Sequence, residues 1–191
     1  MNSPTPSSSP ARSTAQALLV ALARRDLTPE ARRFAIALCP QLSAELALPR
    51  LQEAVAAAKA RGVSAHLFAA GLPWPDGEGA AGRMRVLAEL AGVSRRRLHL
   101  PPVRAADPLE AARHYERELR AFFSLGEGAL PRFDLVLLSN RALLEARGEE
   151  PHDRLVVASF DPVRRRQSVA LTLPALLGAD ATPFATETEP R

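Results

Sequence analysis

Apolar residues recur along this chain in two distinct rhythms, short continuous runs and helical stripes, and the two alternate. Arg33–Leu38 (RFAIAL), Val63–Ala69 (VSAHLFA) and Phe133–Leu138 (FDLVLL) are short runs of the first kind. A run without polar interruption predicts a strand buried on both faces, as in a parallel sheet covered by helices. Between them lie segments of helical period. Leu51–Arg61 is alanine-rich and stops at Gly62, and Arg83–Leu90 closes near Gly92. Pro108–Phe123 is the clearest helix: Ala112, Tyr115, Leu119, Phe122 and Phe123 form one stripe, while Arg113, Glu116, Arg117 and Arg120 fall on the other side. Glu116 and Arg120 stand at the i,i+4 spacing of a favourable pair.

Arg154–Phe160 and Gln167–Leu173 read as two further strands, Gly71–Gly82 as a Gly/Pro-rich loop, and Ser13–Asp26 as an opening helix capped by Ser13/Thr14. Strands separated by helices predict βαβ units, hence a three-layer α/β domain with a mostly parallel sheet. The expected organisation is a Ser/Pro-rich disordered tail over 1–12, one domain over 13–178 and a Thr/Pro/Glu-rich tail over 179–191. No internal repeat is visible.

Composition narrows the function classes. The chain has 191 residues, enough for one well-buried core. Its net charge is only +4, and the basic residues are almost all arginine, Lys59 being the only lysine. The runs Arg95–Arg97 and Arg164–Arg166 have no interleaved aromatics and read as solvated turns, so nucleic-acid binding is not expected. The single cysteine, Cys39, excludes an internal disulfide and reads as a small core residue. His66, His99, His114 and His152 show no metal-ligand spacing, so structural or surface roles, no metal and no cofactor are expected. No apolar run approaches the about 20 residues needed to cross a bilayer. Ala15–Ala23 has the length of a signal-peptide core, but Arg24, Arg25 and Asp26 follow where a cleavage site would lie, and a cytoplasmic location is expected.

Two phrases carry a resemblance: "DPLEAARHYERELRAFF…PRFDLVLL" (107–123 and 131–138) and "ALTLPALL" (170–177). Both resemble the 6-phosphogluconolactonase family, relatives of the glucosamine-6-phosphate deaminases, over roughly residues 15–178. The resemblance implies the three-layer sheet, C-terminally shortened here, and a ligand site in loops beyond the carboxyl ends of the strands. It also implies hydrolysis of a sugar-phosphate lactone without metal or organic cofactor.

The motifs that would carry that chemistry are replaced. Where the family has a Ser-Gly-Gly-Ser-Thr-Pro phosphate loop, this chain reads Cys39-Pro40-Gln41-Leu42-Ser43-Ala44. Both glycines are lost, and Pro40 lacks an N–H donor. The family's Asp-Glu-Arg signature falls on Gly71-Leu72-Pro73, and its Ser-Asn pair on Ala80-Ala81. The Asp76-Gly77 pair nearby reads as a turn. Where the family has Gly-x-Gly-x-Asp-Gly-His-Thr, with the His as expected general base, the chain continues as Ser139-Asn140-Arg141-Ala142-Leu143-Leu144-Glu145-Ala146-Arg147. Glu145 falls near the histidine position, but Ala142–Arg147 has the pattern of a plain helix with a surface glutamate. Ser168 replaces the arginine expected before the "LTLP" strand.

The candidates that remain are therefore Glu145 as a base, and Ser43 and Arg83 as substrate-binding residues. The reading is a catalytically degenerate member of this family that binds a partner protein or, weakly, a sugar phosphate. The alternatives are an active lactonase with a rewired site and an Arg-rich nucleic-acid-associated module. Because the chain after Leu177 has no apolar period, part of the sheet is expected to be covered by a second copy or another protein.

Overall fold

A computed structural model describes residues 33–75, 77–103, 105–138, 154–161, 166–177 and 184–185. The opening helix Ser13–Asp26, both expected tails apart from 184–185, Asp76, Glu145, His152, Arg164 and Arg165 lie outside the described residues. The elements follow in the order β1 (Arg33–Leu38), α1 (Ala44–Ala60), β2 (Ser64–Ala69), β3 (Gly71–Trp74), α2 (Gly77–Leu90), a 3-10 turn (Arg95–Arg97) and β4 (Leu98–His99). They continue with α3 (Pro108–Phe123), β5 (Leu135–Leu137), β6 (Val156–Asp161), β7 (Arg166–Leu171), α4 (Leu173–Leu177) and β8 (Phe184–Ala185).

The main sheet is parallel throughout, in the order β4-β2-β1-β5-β8. The architecture is α/β, a mostly parallel sheet flanked by helices, as the alternating pattern predicts. Its two faces bury different partners. Phe34, Ile36, Leu38, Leu67, Leu135 and Leu137 point one way and pack under α1 and α2. Ala35, Ala37, Phe68 and Val136 point the other way, under Ala111, Ala112, Tyr115 and Leu119 of α3. The run FDLVLL alternates between the two clusters, so its unbroken hydrophobicity reflects burial on both sides.

The α3 helix begins where its sequence says it should. Asp107 caps it by accepting from the Glu110 N–H at 2.8 Å, Pro108 occupies the first turn, and Glu110 reaches back to the Ala106 N–H at 3.1 Å. Ser124 ends it in the left-handed conformation, φ 54°. Arg120 bonds the Glu116 carboxylate at 2.8 and 3.0 Å, as the i,i+4 spacing requires.

Three expectations are corrected. The stretch Gly71–Gly82 is not a loop: Gly71–Trp74 is a strand and α2 starts at Gly77. The β3 strand follows the alternating rule, with Leu72 and Trp74 buried, and Gly71 lets Ala170 approach to where a Cβ would be 3.3 Å away. Burial of Ala80, Ala81 and Met84 outweighs the weak helix propensity of the glycines in α2. Second, β6 and β7 join β3 in a separate antiparallel sheet, β3-β7-β6, because four intervening residues cannot make a parallel crossover. Third, α1 begins at Ala44, seven residues before Leu51, and carries Pro49 inside it. Within the stretch after Leu177, Phe184–Ala185 pair in parallel with β5 at the sheet edge.

Candidate functional site

The carboxyl ends of the parallel strands are where ligands of such sheets bind, and among the described residues the segments that leave β1 and β2 make apolar and short-range contacts there. The chain leaves β1 through Cys39, which is buried, and turns at once. The Cys39 thiol donates to Gln41 Oε1 at 2.6 Å, and the Leu42 N–H donates to the Cys39 carbonyl at 3.1 Å. Pro40 and Leu42 are buried in this turn, and Ser43 is exposed at the start of α1. A turn of this kind has no glycine-lined arc of N–H groups to cradle a phosphate.

At the second loop the positions aligned with the acidic signature belong to β3. Leu72 is buried, and Pro73 stands opposite Ser168 of β7. Ala80 and Ala81 are buried within α2. Arg83 is exposed on α2 and makes no hydrogen bond or ion pair among the described residues, so no described contact brings it to Ser43. Glu145 lies outside the described residues.

Titratable chemistry gathers elsewhere, where β2 and β4 meet α3. His66 Nδ1 lies 3.0 Å from His99 Nε2, and His99 Nδ1 lies 2.5 Å from Glu118 Oε1. Each member comes from a different element. His66 and Phe68 share the face of β2 that looks at α3, because strand side chains repeat every two residues. In the β2–β4 register His99 stands opposite Phe68, and the two rings stack at 4.2 Å and 7°. Phe122 closes the group from α3, 4.8 Å from the His66 ring and 5.3 Å from that of His99. The Tyr115 hydroxyl fixes the strand ends, reaching the Ala69 carbonyl at 3.0 Å and the His99 carbonyl at 3.3 Å. Burial and the Glu118 charge hold this phenol well above its ordinary pKa, so it stays a donor.

The protonation pattern follows from the hydrogen bonds. A carboxylate only accepts, so His99 Nδ1 carries a proton toward Glu118. With both rings neutral, His66 then donates from Nδ1 to His99 Nε2, and His66 Nε2 keeps its lone pair. Burial first, then the charges of His99, Arg97 and Arg33, hold the His66 pKa down to about 4. His66 is therefore neutral across the neutral pH range. This is the geometry of a base oriented by a second imidazole and a carboxylate.

That depression has a thermodynamic consequence. The unfolded chain holds His66 near 6.5 and the folded one near 4, so between those values the unfolded state binds more protons. The stabilisation is complete above pH 6.5 and is lost as the pH falls toward 4. Allowing for solvent screening of a partly exposed ring, it amounts to about 1 kcal/mol. Denaturant midpoints measured from pH 7.5 to 4 should fall through this window in the native chain and flatten in His66→Gln. Equal slopes in the two proteins would contradict the assignment.

Sequence reasoning missed this group. His66 falls in the strand expected over Val63–Ala69, but no strand is expected at His99, and the 33-residue gap between them hides the adjacency that the β2–β4 pairing creates. The only available signal is that His66 shares a strand face with Phe68, opposite the apolar stripe of α3. Among the described residues no group of three or more His, Cys, Asp or Glu could hold a metal ion. No helix among them is long and apolar enough to cross a membrane.

No protein-family model matches this sequence, and no curated protein does. A solved structure does: the crystal structure of the devB protein superposes with a TM-score of 0.60, covering 90% of this chain and 76% of that one at 16% identity. A likeness at this identity shows a shared fold. It says nothing of shared chemistry.

Proposed function

We propose that this chain is a 6-phosphogluconolactonase-like scaffold that has lost the lactonase site and acts by binding a partner protein or, weakly, a metabolite. The observation that carries the reading is the turn after β1. In its sequence register a phosphate loop would present glycine N–H groups; here Pro40 and Leu42 are buried and the Cys39 thiol closes on Gln41. The second supporting observation is that the positions of the acidic signature are spent on β3, where Leu72 faces the core and Pro73 is paired to Ser168. The sequence resemblance over 107–138 and 170–177 and the fold it shares with the devB protein support the scaffold half of the reading. The missing base and missing anion clamp support the other half.

A general base contributes typically about 10²–10⁴-fold, and the electrostatic clamp a further factor. Purified protein should therefore hydrolyse 6-phospho-D-glucono-1,5-lactone no faster than buffer, once spontaneous opening is subtracted. Saturable hydrolysis abolished by Glu145→Gln would establish a rewired enzyme and make Glu145 its base. Light scattering at micromolar concentration, with pull-down from extract, tests the binding half: a monomer that retains no partner and binds no sugar phosphate would overturn it.

A further inference from the structure

We infer that the outer face of α2 is a contact with a second copy of this chain, in which two α2 helices pack antiparallel across a two-fold axis. It rests on the protein-binding half of the reading above, for which it names the partner.

The α2 helix carries two apolar stripes where a surface helix needs one. Ala80, Ala81, Met84, Leu87 and Ala88 are buried together, at the spacing of a single helical face. Val86 and Leu90 stand one turn apart on the other side, 56% and 55% exposed, more than any other large hydrophobic residue among those described. Gly82 continues this outer stripe one turn back, and a Cβ there would meet nothing within 4 Å, so a second helix has room to approach. A β-branched residue at an exposed helix position lowers helix propensity and gains no burial within one chain. The end of the helix is firm as well. The Gly92 N–H donates to the Glu89 carbonyl at 3.0 Å and the Val93 N–H to the Ala88 carbonyl at 2.8 Å. Gln52 of α1 donates to the Leu90 carbonyl at 3.1 Å, which holds Leu90 in place.

Charge decides what can lie on this stripe. Arg85 and Glu89 flank it, both exposed, and neither makes a hydrogen bond or ion pair among the described residues. They stand at i,i+4 with the arginine first, the poorer order for a pair within one helix. Between antiparallel copies the same spacing is self-complementary. With the two-fold axis level with Leu87, Arg85 stands opposite the partner's Glu89, and Glu89 opposite the partner's Arg85. Val86 then falls between the partner's Val86 and the partner's Leu90, so the apolar residues interleave. Arg83, on the other flank, is level with the partner's Ala91 and meets no like charge. A two-fold contact requires this reciprocity, in which each residue that meets another is met by it in return. A surface of one sign would satisfy only one of the two charges.

Sedimentation equilibrium from about 1 µM to about 1 mM should show the mass rising from one chain toward two, the range suited to a small contact. Arg85→Glu and Glu89→Arg, each alone, set like charges against each other in both halves of the contact. Each should weaken the dimer about tenfold or more. Both positions are exposed, so unfolding of the dilute protein should stay cooperative in each variant. Mixing the two single variants should restore association, because every pair across the mixed contact is then opposite in charge. The double variant Arg85→Glu/Glu89→Arg should dimerise alone for the same reason. Leu90→Gln should weaken the dimer, whereas Leu109→Gln, at an exposed leucine of α3, should not. The proposal is overturned by a monomer throughout, by a dimer indifferent to both single charge changes, or by single variants that stay apart when mixed. A monomer that retains another protein on pull-down would remove this interface and leave the binding reading standing. Lactonase activity in a dimer would remove the lost-site half of that reading and leave the interface.

Discussion

Truncation of Leu137 to alanine should lower the free energy of unfolding by about 2–5 kcal/mol, the range for deletion of a fully buried leucine side chain. Leu137 is inaccessible to solvent, and in the β1–β5 register it stands opposite Leu38, which is equally buried. Its side chain joins Ile36, Leu67 and Leu51 in the cluster under α1 and α2. Its carbonyl meanwhile accepts from the Cys39 N–H at 2.9 Å. The strand is therefore pinned by backbone bonds that survive the substitution, and the neighbours cannot collapse freely into the void. A cost near the upper end follows, because the penalty grows with the cavity that remains. Urea unfolding of Leu137→Ala beside the native chain measures it directly. An unchanged midpoint would mean that β5 does not lie in the core.

How far the sequence reveals this architecture depends on what each segment answers to. β5 and α3 were legible because burial on two faces and burial on one stripe leave different periods in the residues themselves. β3 was not, since Gly71, Pro73 and Pro75 are the residue types that mark turns. What makes it a strand is the edge offered by β7, a partner almost a hundred residues away. The antiparallel pairing of β6 with β7 was hidden for a similar reason: each strand could be read, but not the sheet it joins. The replaced motifs of the carboxyl-end loops could be read position by position, and the turn at Cys39–Ser43 has the closed form those replacements imply. The His66 line could not be read at all. It is assembled from residues 66, 99 and 118, whose only common property is the place where their elements meet.

The second large effect is expected at Phe68, which ties the core to that line. Phe68 is fully buried and lies against three other phenylalanines, with ring centres 4.9 Å from Phe122, 5.8 Å from Phe123 and 5.6 Å from Phe133. Its fourth neighbour is His99, stacked face to face at 4.2 Å. Phe68→Ala should cost about 3–5 kcal/mol from cavity and lost contact together. The electrostatic consequence is separate and is the more discriminating. Once the ring is gone, water reaches His99 and the inner side of His66, and the burial that dominates the His66 shift is relieved. The His66 pKa should then climb from about 4 toward its ordinary 6.5. Histidine side-chain NMR titrations would follow this, and Phe68→Leu, which keeps most of the volume, guards against a variant too unstable to study. Phe68→Leu should lose less stability and move His66 less, in the same order. A His66 titration unmoved in both variants, despite the lost stability, would show that Phe68 supports the core without holding the imidazoles.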